Sequence, residues 1–312
     1  MDFRLTDDQK ALKAGVRELL AGRFDRDALR ASVERGTLDR GLWRELGAAG
    51  FFALRVPEGE GGVGLGLPEA VLVFEEAGRA LLPGPLVATH VAAGVVEGAA
   101  EGEVVVAAAD GGLVEWLDEA DVVLGDAGGA VPVRSVDPLT PLHRLPAAVV
   151  AGDMSGTRPP GRRSVVPSGS APAERMATTG VAGLLTAAEQ LGSAARTTEM
   201  AVSYARTREQ FGQAIGSFQA VKHLCAQMLV RTEVARAAVY AAAVTGDPVE
   251  IAGAKLLADE AAVDCARDCL QVHGGMGFTW EADVHLHLKR AWVRSRRGPS
   301  KAQAEEAEAA AL

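Results

Sequence analysis

Arg208, Gln210, Phe211, Gln271, Gly274 and Gly275 are the residues of this chain whose types and spacing point to chemistry. Arg208 stands just past the end of a helical stretch, where a guanidinium can offer a charge-assisted fork to phosphate oxygens. Gln210 adds an amide, and Phe211 an apolar surface. Further along, Gly274 and Gly275 let backbone N–H groups approach such phosphates closely. Gln271 supplies a side-chain amide one turn earlier. Plainer readings stand beside these. The glycine pair serves equally as a helix C-cap, Arg208 as a surface ion pair, and Phe211 and Phe218 as core. His273 reads as a packed histidine at a helix end. His285 and His287 are two apart, on different helix faces, and no metal-ligand spacing occurs. Cys265 and Cys269 share one helix face and Cys225 is an odd third, with no second pair to complete a zinc site. They read as buried thiols in a reducing compartment.

The elements that must position these residues are mostly helical. Leu184, Ala188, Leu191, Ala195, Thr198, Val202 and Ala205 step by three or four and give one apolar stripe. Ser217 is the expected N-cap of a second long helix through residue 244. Asp247-Pro248-Val249-Glu250 reads as a capping box with proline at the first helical position. That third helix is expected to run to His273, where Gly274-Gly275 ends it in the left-handed conformation. A fourth covers 281–295, so residues 173–312 form a C-terminal four-helix bundle. Residues 1–100 read as an N-terminal helical domain. It opens on a capping box at Thr6-Asp7-Asp8-Gln9, with further helices over 40–49, 68–81 and 84–97 and a glycine-rich loop at 56–62. Residues 101–172 change character. Short β-branched runs at 104–106, 122–124, 131–133 and 149–150, punctuated by Gly, Asp and Pro, predict a small β domain. The fold class is mainly α with a small central β domain.

Composition narrows the function classes. In 312 residues, 48% hydrophobic with only 4% aromatic, the core must be built from Ala, Leu and Val on closely packed helices. A formal net charge of −9 gives no electrostatic footprint for nucleic acid. The apolar stretches at 86–96 and 103–109 are too short to span a bilayer. Polar helical sequence follows directly on Met1-Asp2-Phe3-Arg4-Leu5, unlike a signal peptide, so a cytoplasmic protein free of membrane is expected.

Two stretches then carry a family resemblance. They are Arg206-Thr207-Arg208-Glu209-Gln210-Phe211-Gly212-Gln213-Ala214-Ile215-Gly216-Ser217-Phe218-Gln219-Ala220-Val221-Lys222 and Leu270-Gln271-Val272-His273-Gly274-Gly275-Met276-Gly277-Phe278-Thr279. Both, in this order, resemble signatures of the acyl-CoA dehydrogenase family. Residues 57–65 and Glu75-Glu76-Ala77-Gly78-Arg79-Ala80 are similar to that family's first domain. The resemblance implies an FAD enzyme that desaturates an acyl-CoA thioester at its α,β bond and passes electrons to an electron-transfer flavoprotein. It also implies that Arg208, Gln210, Phe211, Gln219, Gln271, Gly274 and Gly275 reach the adenosine diphosphate half of a neighbour's FAD across a subunit interface.

The sequence also departs from the family. Removing the weakly acidic α-proton of a thioester takes a base. The family's usual position falls within Ala291–Ser300, which holds no acid; a second known position falls at Ala182. The Thr-Glu-Pro-type segment that lines the flavin ring is absent from 104–111, and Trp116 stands in a different context. No catalytic residue is therefore assigned. These losses beside a retained nucleotide half predict a division of labour with a homologous acyl-CoA dehydrogenase subunit, in a heterotetramer with two copies of each chain. The partner supplies the base and the ring pocket. Some actinobacterial members of the family acting on steroid side-chain thioesters are built this way, and the resemblance implies a role in fatty acid or steroid side-chain degradation. Three other readings stay open. One is a self-sufficient homo-oligomer using Glu189, Glu199, Glu281 or Asp283 as base. The second is a related flavin monooxygenase, which needs no acid, and the third is a flavin-free scaffold.

Overall fold

The computed structural model describes residues 4–110, 112–146, 163–165 and 172–297. The N-terminal part begins with α1 (Asp7–Arg23), whose Thr6 and Gln9 form the expected capping box. A helix not anticipated from the sequence follows, α2 (Arg26–Arg35), capped by Asp25 and closed by Gly36 at φ +65°. Then come α3 (Arg40–Ala48), α4 (Leu67–Ala80) and α5 (Leu86–Ala92). Four of the chain's few aromatic side chains cluster among them: Trp43 and Phe52 at 4.6 Å, and Phe51 and Phe74 at 5.2 Å between centroids. All four are buried.

The central sheet has the order β4-β5-β2-β1-β3-β6. Its strands are β1 (Val106–Asp110), β2 (Leu113–Glu115), β3 (Val122–Leu124), β4 (Val131–Val133), β5 (Leu142–Arg144) and β6 (Arg163–Val165). The pair β1–β3 and the pair β3–β6 run parallel, the others antiparallel. The strand expected at 104–106 lies slightly later, and the run at 149–150 falls outside the described residues. Alternation places Val106 and Val122 in a cluster with Ala92, Val96 and Ala99, while Ala107 and Val123 face a second cluster with Val114 and Leu117. Thr89 of α5 accepts the Val106 N–H at 3.0 Å, and Arg40 pairs with Asp121 at 2.7 Å, so the sheet is tied to the N-terminal helices.

The C-terminal helices are α6 (Pro172–Thr207), α7 (Gln219–Thr245), α8 (Pro248–His273) and α9 (Val284–Arg294). Between α6 and α7 lies a two-stranded hairpin, β7 (Glu209–Gln210) with β8 (Gln213–Ala214). Ser217 does not cap α7. It sits in a 3-10 turn with its hydroxyl on the Ala214 carbonyl, and Phe218 takes the N-cap position. Asp247 does cap α8, accepting from the N–H groups of Val249 and Glu250, while the Glu250 carboxylate turns to the Thr245 hydroxyl. Two glycines bring α4 and α6 into backbone contact: a Cβ on Gly78 would overlap the Glu189 backbone, and one on Gly192 the Glu75 backbone. Glu75 is buried there with Lys13, Arg236 and Tyr240 around its carboxylate, which joins α1, α4 and α7.

One face of α9 bolts the sheet to the bundle. Arg290 pairs with Asp137 and donates to the carbonyls of Leu82 and Leu139. Arg294 reaches Glu189 of α6 at 2.6 Å. Arg297, just beyond α9, reaches Glu115 of β2 at 2.8 Å. Charges this buried are costly unless paired, and breaking one partner would strand the other. Among the described residues no helix is long and apolar enough to cross a membrane.

Candidate cofactor site

The residues singled out in the sequence fall into two groups at the helix ends of the bundle. In the first, Arg208 follows the last residue of α6. Its N–H donates to the Tyr204 carbonyl and its own carbonyl accepts from Ile215, both at 2.8 Å. Its backbone is thereby fixed while its guanidinium is exposed, without an ion pair among the described residues. The hairpin turn is made by Phe211 at φ +55° and Gly212 at φ +78°. Positive φ at both central residues suits the tight turn of a twisted hairpin. For glycine this is free; for a bulky residue such as phenylalanine it is strained. Phe211 is nevertheless 92% exposed, with only Phe218 edge-on at 6.0 Å. That is not a core position. Gln210 is exposed on β7 with its amide on the Glu209 carbonyl at 2.7 Å, and Gln219 is exposed as the first residue of α7.

The second group lies where α8 ends. Gln271 is exposed in the last turn. Gly274 has φ +58° and ψ −140°, positive in φ but outside the left-handed helical region expected of a simple cap. Its N–H is taken by the Gln271 carbonyl. Gly274 thus contributes a backbone conformation closed to other residues, not a free donor. Gly275 has no positive φ, and a Cβ there would meet nothing within 4 Å. Nothing within the chain requires glycine at that position; open space in front of it suits close approach from outside. An aromatic contact bridges the two groups, Tyr204 stacked on His273.

The arrangement suits the adenosine diphosphate half of a dinucleotide. An unpaired guanidinium and exposed amides match a pyrophosphate, and the strained, exposed phenyl ring offers a face for a base or ribose. A flavin ring has less to meet here. Trp116, held at φ +56°, is 2% exposed and packs in the core.

Neither expected place for a base holds an acid in the structure. Ala182 lies on α6 with its carbonyl accepting from Thr186. In the segment around α9, Arg294 and Arg297 are locked to Glu189 and Glu115. Of the other acids, Glu199 pairs with Arg79, Asp283 with Arg26 and Arg30, and Glu281 is exposed. Of the four acids considered as a base, Glu189 alone is deeply buried. Burial pushes its carboxyl above the ordinary range, with Arg294 pulling the other way, and burial lowers Arg294 to about 10. The ion pair occupies Glu189. From the sequence, Arg294, Arg296 and Arg297 read as a short basic cluster at a solvated end or a phosphate contact; Arg294 is instead buried on Glu189 and Arg297 is held by Glu115, acids that come from distant segments.

Comparison with known proteins decides the family. Residues 6–101 match the N-terminal domain model and residues 175–299 the C-terminal domain model of acyl-CoA dehydrogenases. The chain belongs to the acyl-CoA dehydrogenase family. Acyl-CoA dehydrogenase IpdE2 of Mycobacterium tuberculosis is 39% identical, with 91% of each chain covered. A structure described as PigA with FAD and proline superposes with a TM-score of 0.82 at 20% identity, covering 100% of this chain and 99% of the other. Another, of the steroid ACAD Tcur3481-Tcur3483, gives 0.78 at 24% identity over 98% and 99%. These folds share the helical–sheet–helical layout expected from the sequence. As a family member, this acyl-CoA dehydrogenase is an oxidoreductase acting on acyl-CoA with FAD as cofactor. Bound FAD would supply the hydride acceptor, and the chain's own residues described above fit its nucleotide half.

Proposed function

We propose that this chain is one subunit of a heteromeric acyl-CoA dehydrogenase, in which it holds the adenosine diphosphate half of an FAD whose ring and catalytic base belong to a homologous partner. In this reading Arg208, Gln210, Phe211, Gln219, Gln271, Gly274 and Gly275 serve the partner-bound cofactor, in a heterotetramer with two copies of each chain. Residues 1–100, 101–172 and 173–312 act as three domains of a cytoplasmic enzyme that passes electrons to an electron-transfer flavoprotein. The reaction is α,β-desaturation of an acyl-CoA, and the steroid ACAD with two named components supports a steroid-derived acyl group.

The observation that carries the reading is an asymmetry. Arg208 and Gln271 stand exposed and unpaired among the described residues on a rigid frame, while both positions for a base hold other residues and the only deeply buried candidate acid is paired. A second observation agrees. The helix that begins at Gln219, α7, exposes Leu229, Val230, Val234 and Val244 further along its length.

The test is the visible spectrum of the protein purified alone and co-expressed with a homologous subunit. Flavin absorbance appearing only in the complex, and reduced there by Arg208→Ala, is the expected result. Stoichiometric FAD and acyl-CoA oxidation by the chain alone would sink the proposal.

A further inference from the structure

Two separate stretches of chain carry the half-site, and a ring stack bridges them. Tyr204 lies one turn before Arg208 on α6; His273 is the last residue of α8, next to Gly274. Their rings stack with centroids 4.1 Å apart and an interplanar angle of 19°. Each ring is tied into its own half of the site. The Tyr204 carbonyl accepts the Arg208 N–H, and the Arg208 carbonyl accepts from Ile215 across the hairpin. A Cβ on Gly216 would come within 2.8 Å of the Ala205 carbonyl oxygen, so the chain returns from the hairpin directly onto the end of α6.

The imidazole is held as firmly. His273 Nδ1 lies 2.8 Å from the Cys269 carbonyl oxygen. A carbonyl only accepts, so Nδ1 is the protonated nitrogen and the ring plane is fixed by its own helix. The turn after α8 then folds back beneath it, where a Cβ on Gly277 would sit 3.0 Å from the His273 Cβ. The helix carbonyl, the returning turn and the Tyr204 ring hold it together. Among the described residues the bundle's buried apolar side chains are aliphatic or sulfur-bearing; this aromatic pair, half-buried, stands at its end, between the two halves of the site.

We infer that Tyr204 and His273 are positioning residues whose stack holds the Arg208 hairpin and the Gln271–Gly275 turn at the separation needed to reach one pyrophosphate. The inference rests on the half-site reading above. Neither ring has to touch the nucleotide. Losing the stack lets the two halves move independently, and a guanidinium fork depends on geometry as well as charge. An aromatic pair of this kind is worth a factor of about three to ten.

FAD titration of the stripped flavoprotein, in whichever assembly carries the flavin, tests this by fluorescence. Tyr204→Phe keeps the ring and is expected to bind FAD within about twofold of the parent protein. Tyr204→Leu and His273→Leu each remove one side and are expected to weaken FAD about three- to tenfold. The double variant is expected to be no weaker than the worse single one, since the stack is lost only once. If Tyr204→Leu does not fold, His273→Leu reads the same contact from α8. Parent-like affinity in the leucine variants, multiplied losses in the double variant, or an equal loss in Tyr204→Phe would each overturn the inference. Arg208→Ala separates the two ideas. Unchanged affinity there removes the half-site reading and this inference with it; weakened affinity beside intact leucine variants removes only the positioning role.

Discussion

At residue scale, Gly274 and Gly275 look alike in the sequence and differ in the structure. Gly274 needs glycine for its own backbone, at φ +58° and ψ −140°. Gly275 needs it for nothing inside the chain. Gly274→Ala should therefore cost about 1–3 kcal/mol in denaturant unfolding of the isolated chain. Gly275→Ala should leave that stability within about 0.5 kcal/mol yet weaken FAD about tenfold in the assembled enzyme. Equal effects on stability would contradict the assignment. Two histidines give a pH signature. Burial lowers His90 to about 4 and His287, beside Arg196, Arg290 and Arg294, to about 3. Unfolded, both titrate near the ordinary 6.5. Keeping them neutral contributes stability that is complete above pH 6.5. It is lost as pH falls toward 4 for His90 and 3 for His287, by at most about 1.4 kcal/mol per pH unit each. Glu189 and Asp259, raised by burial, act in the opposite direction as pH falls. Comparing slopes isolates the histidines: between pH 6.5 and 5 the unfolding free energy of His90→Gln and of His287→Asn should fall less steeply than the parent's. Parallel slopes would show that neither ring is protonated on unfolding.

At the scale of elements, much was legible because helix ends are written in short-range chemistry. Thr6 with Gln9, and Asp247 with Pro248, marked their helices correctly. The signals for α2 were also present, in Asp25 and Gly36, but only Leu29, Ser32 and Val33 bury its inner face. So narrow a stripe in a charged segment has little periodicity to detect. Ser217 had the right side chain for a cap, yet the chain spends it on a turn one residue earlier. What sequence could not reveal were contacts between distant segments: the Tyr204–His273 stack and the acids opposite the arginines of α9. The α4–α6 crossing belongs here too. Gly192 fits against the Glu75 backbone with no room for a methyl group, and neither helix can shift without disturbing the Glu75 cluster. Gly192→Ala should destabilise the chain by about 3 kcal/mol or more in denaturant unfolding. A loss below about 1 kcal/mol would mean that the helices are not held this closely.

For the whole molecule, the outer face of α7 is where assembly should be felt. Val230 is 61% and Val234 49% exposed, between charged neighbours, on a helix whose other faces are packed in the bundle. Leaving such a strip in water costs apolar burial that a subunit interface would recover. Its position matters as much as its polarity. The strip runs from Leu229, ten residues along α7 from Gln219, to Val244 near the helix's far end, so a partner seated on it would lie along the helix that begins beside the Arg208 hairpin. Val230→Asp changes a side chain that makes few contacts within the chain, so its thermal midpoint alone should stay within about 2 °C of the parent. Buried in an interface, the same carboxylate would be an unpaired charge, strongly opposed. Co-purification with the homologous subunit should then fail, and flavin absorbance with it, although Arg208 and Gln271 remain intact. If the complex forms and stays yellow with Val230→Asp, the partner docks elsewhere and the apolar face of α7 needs another explanation.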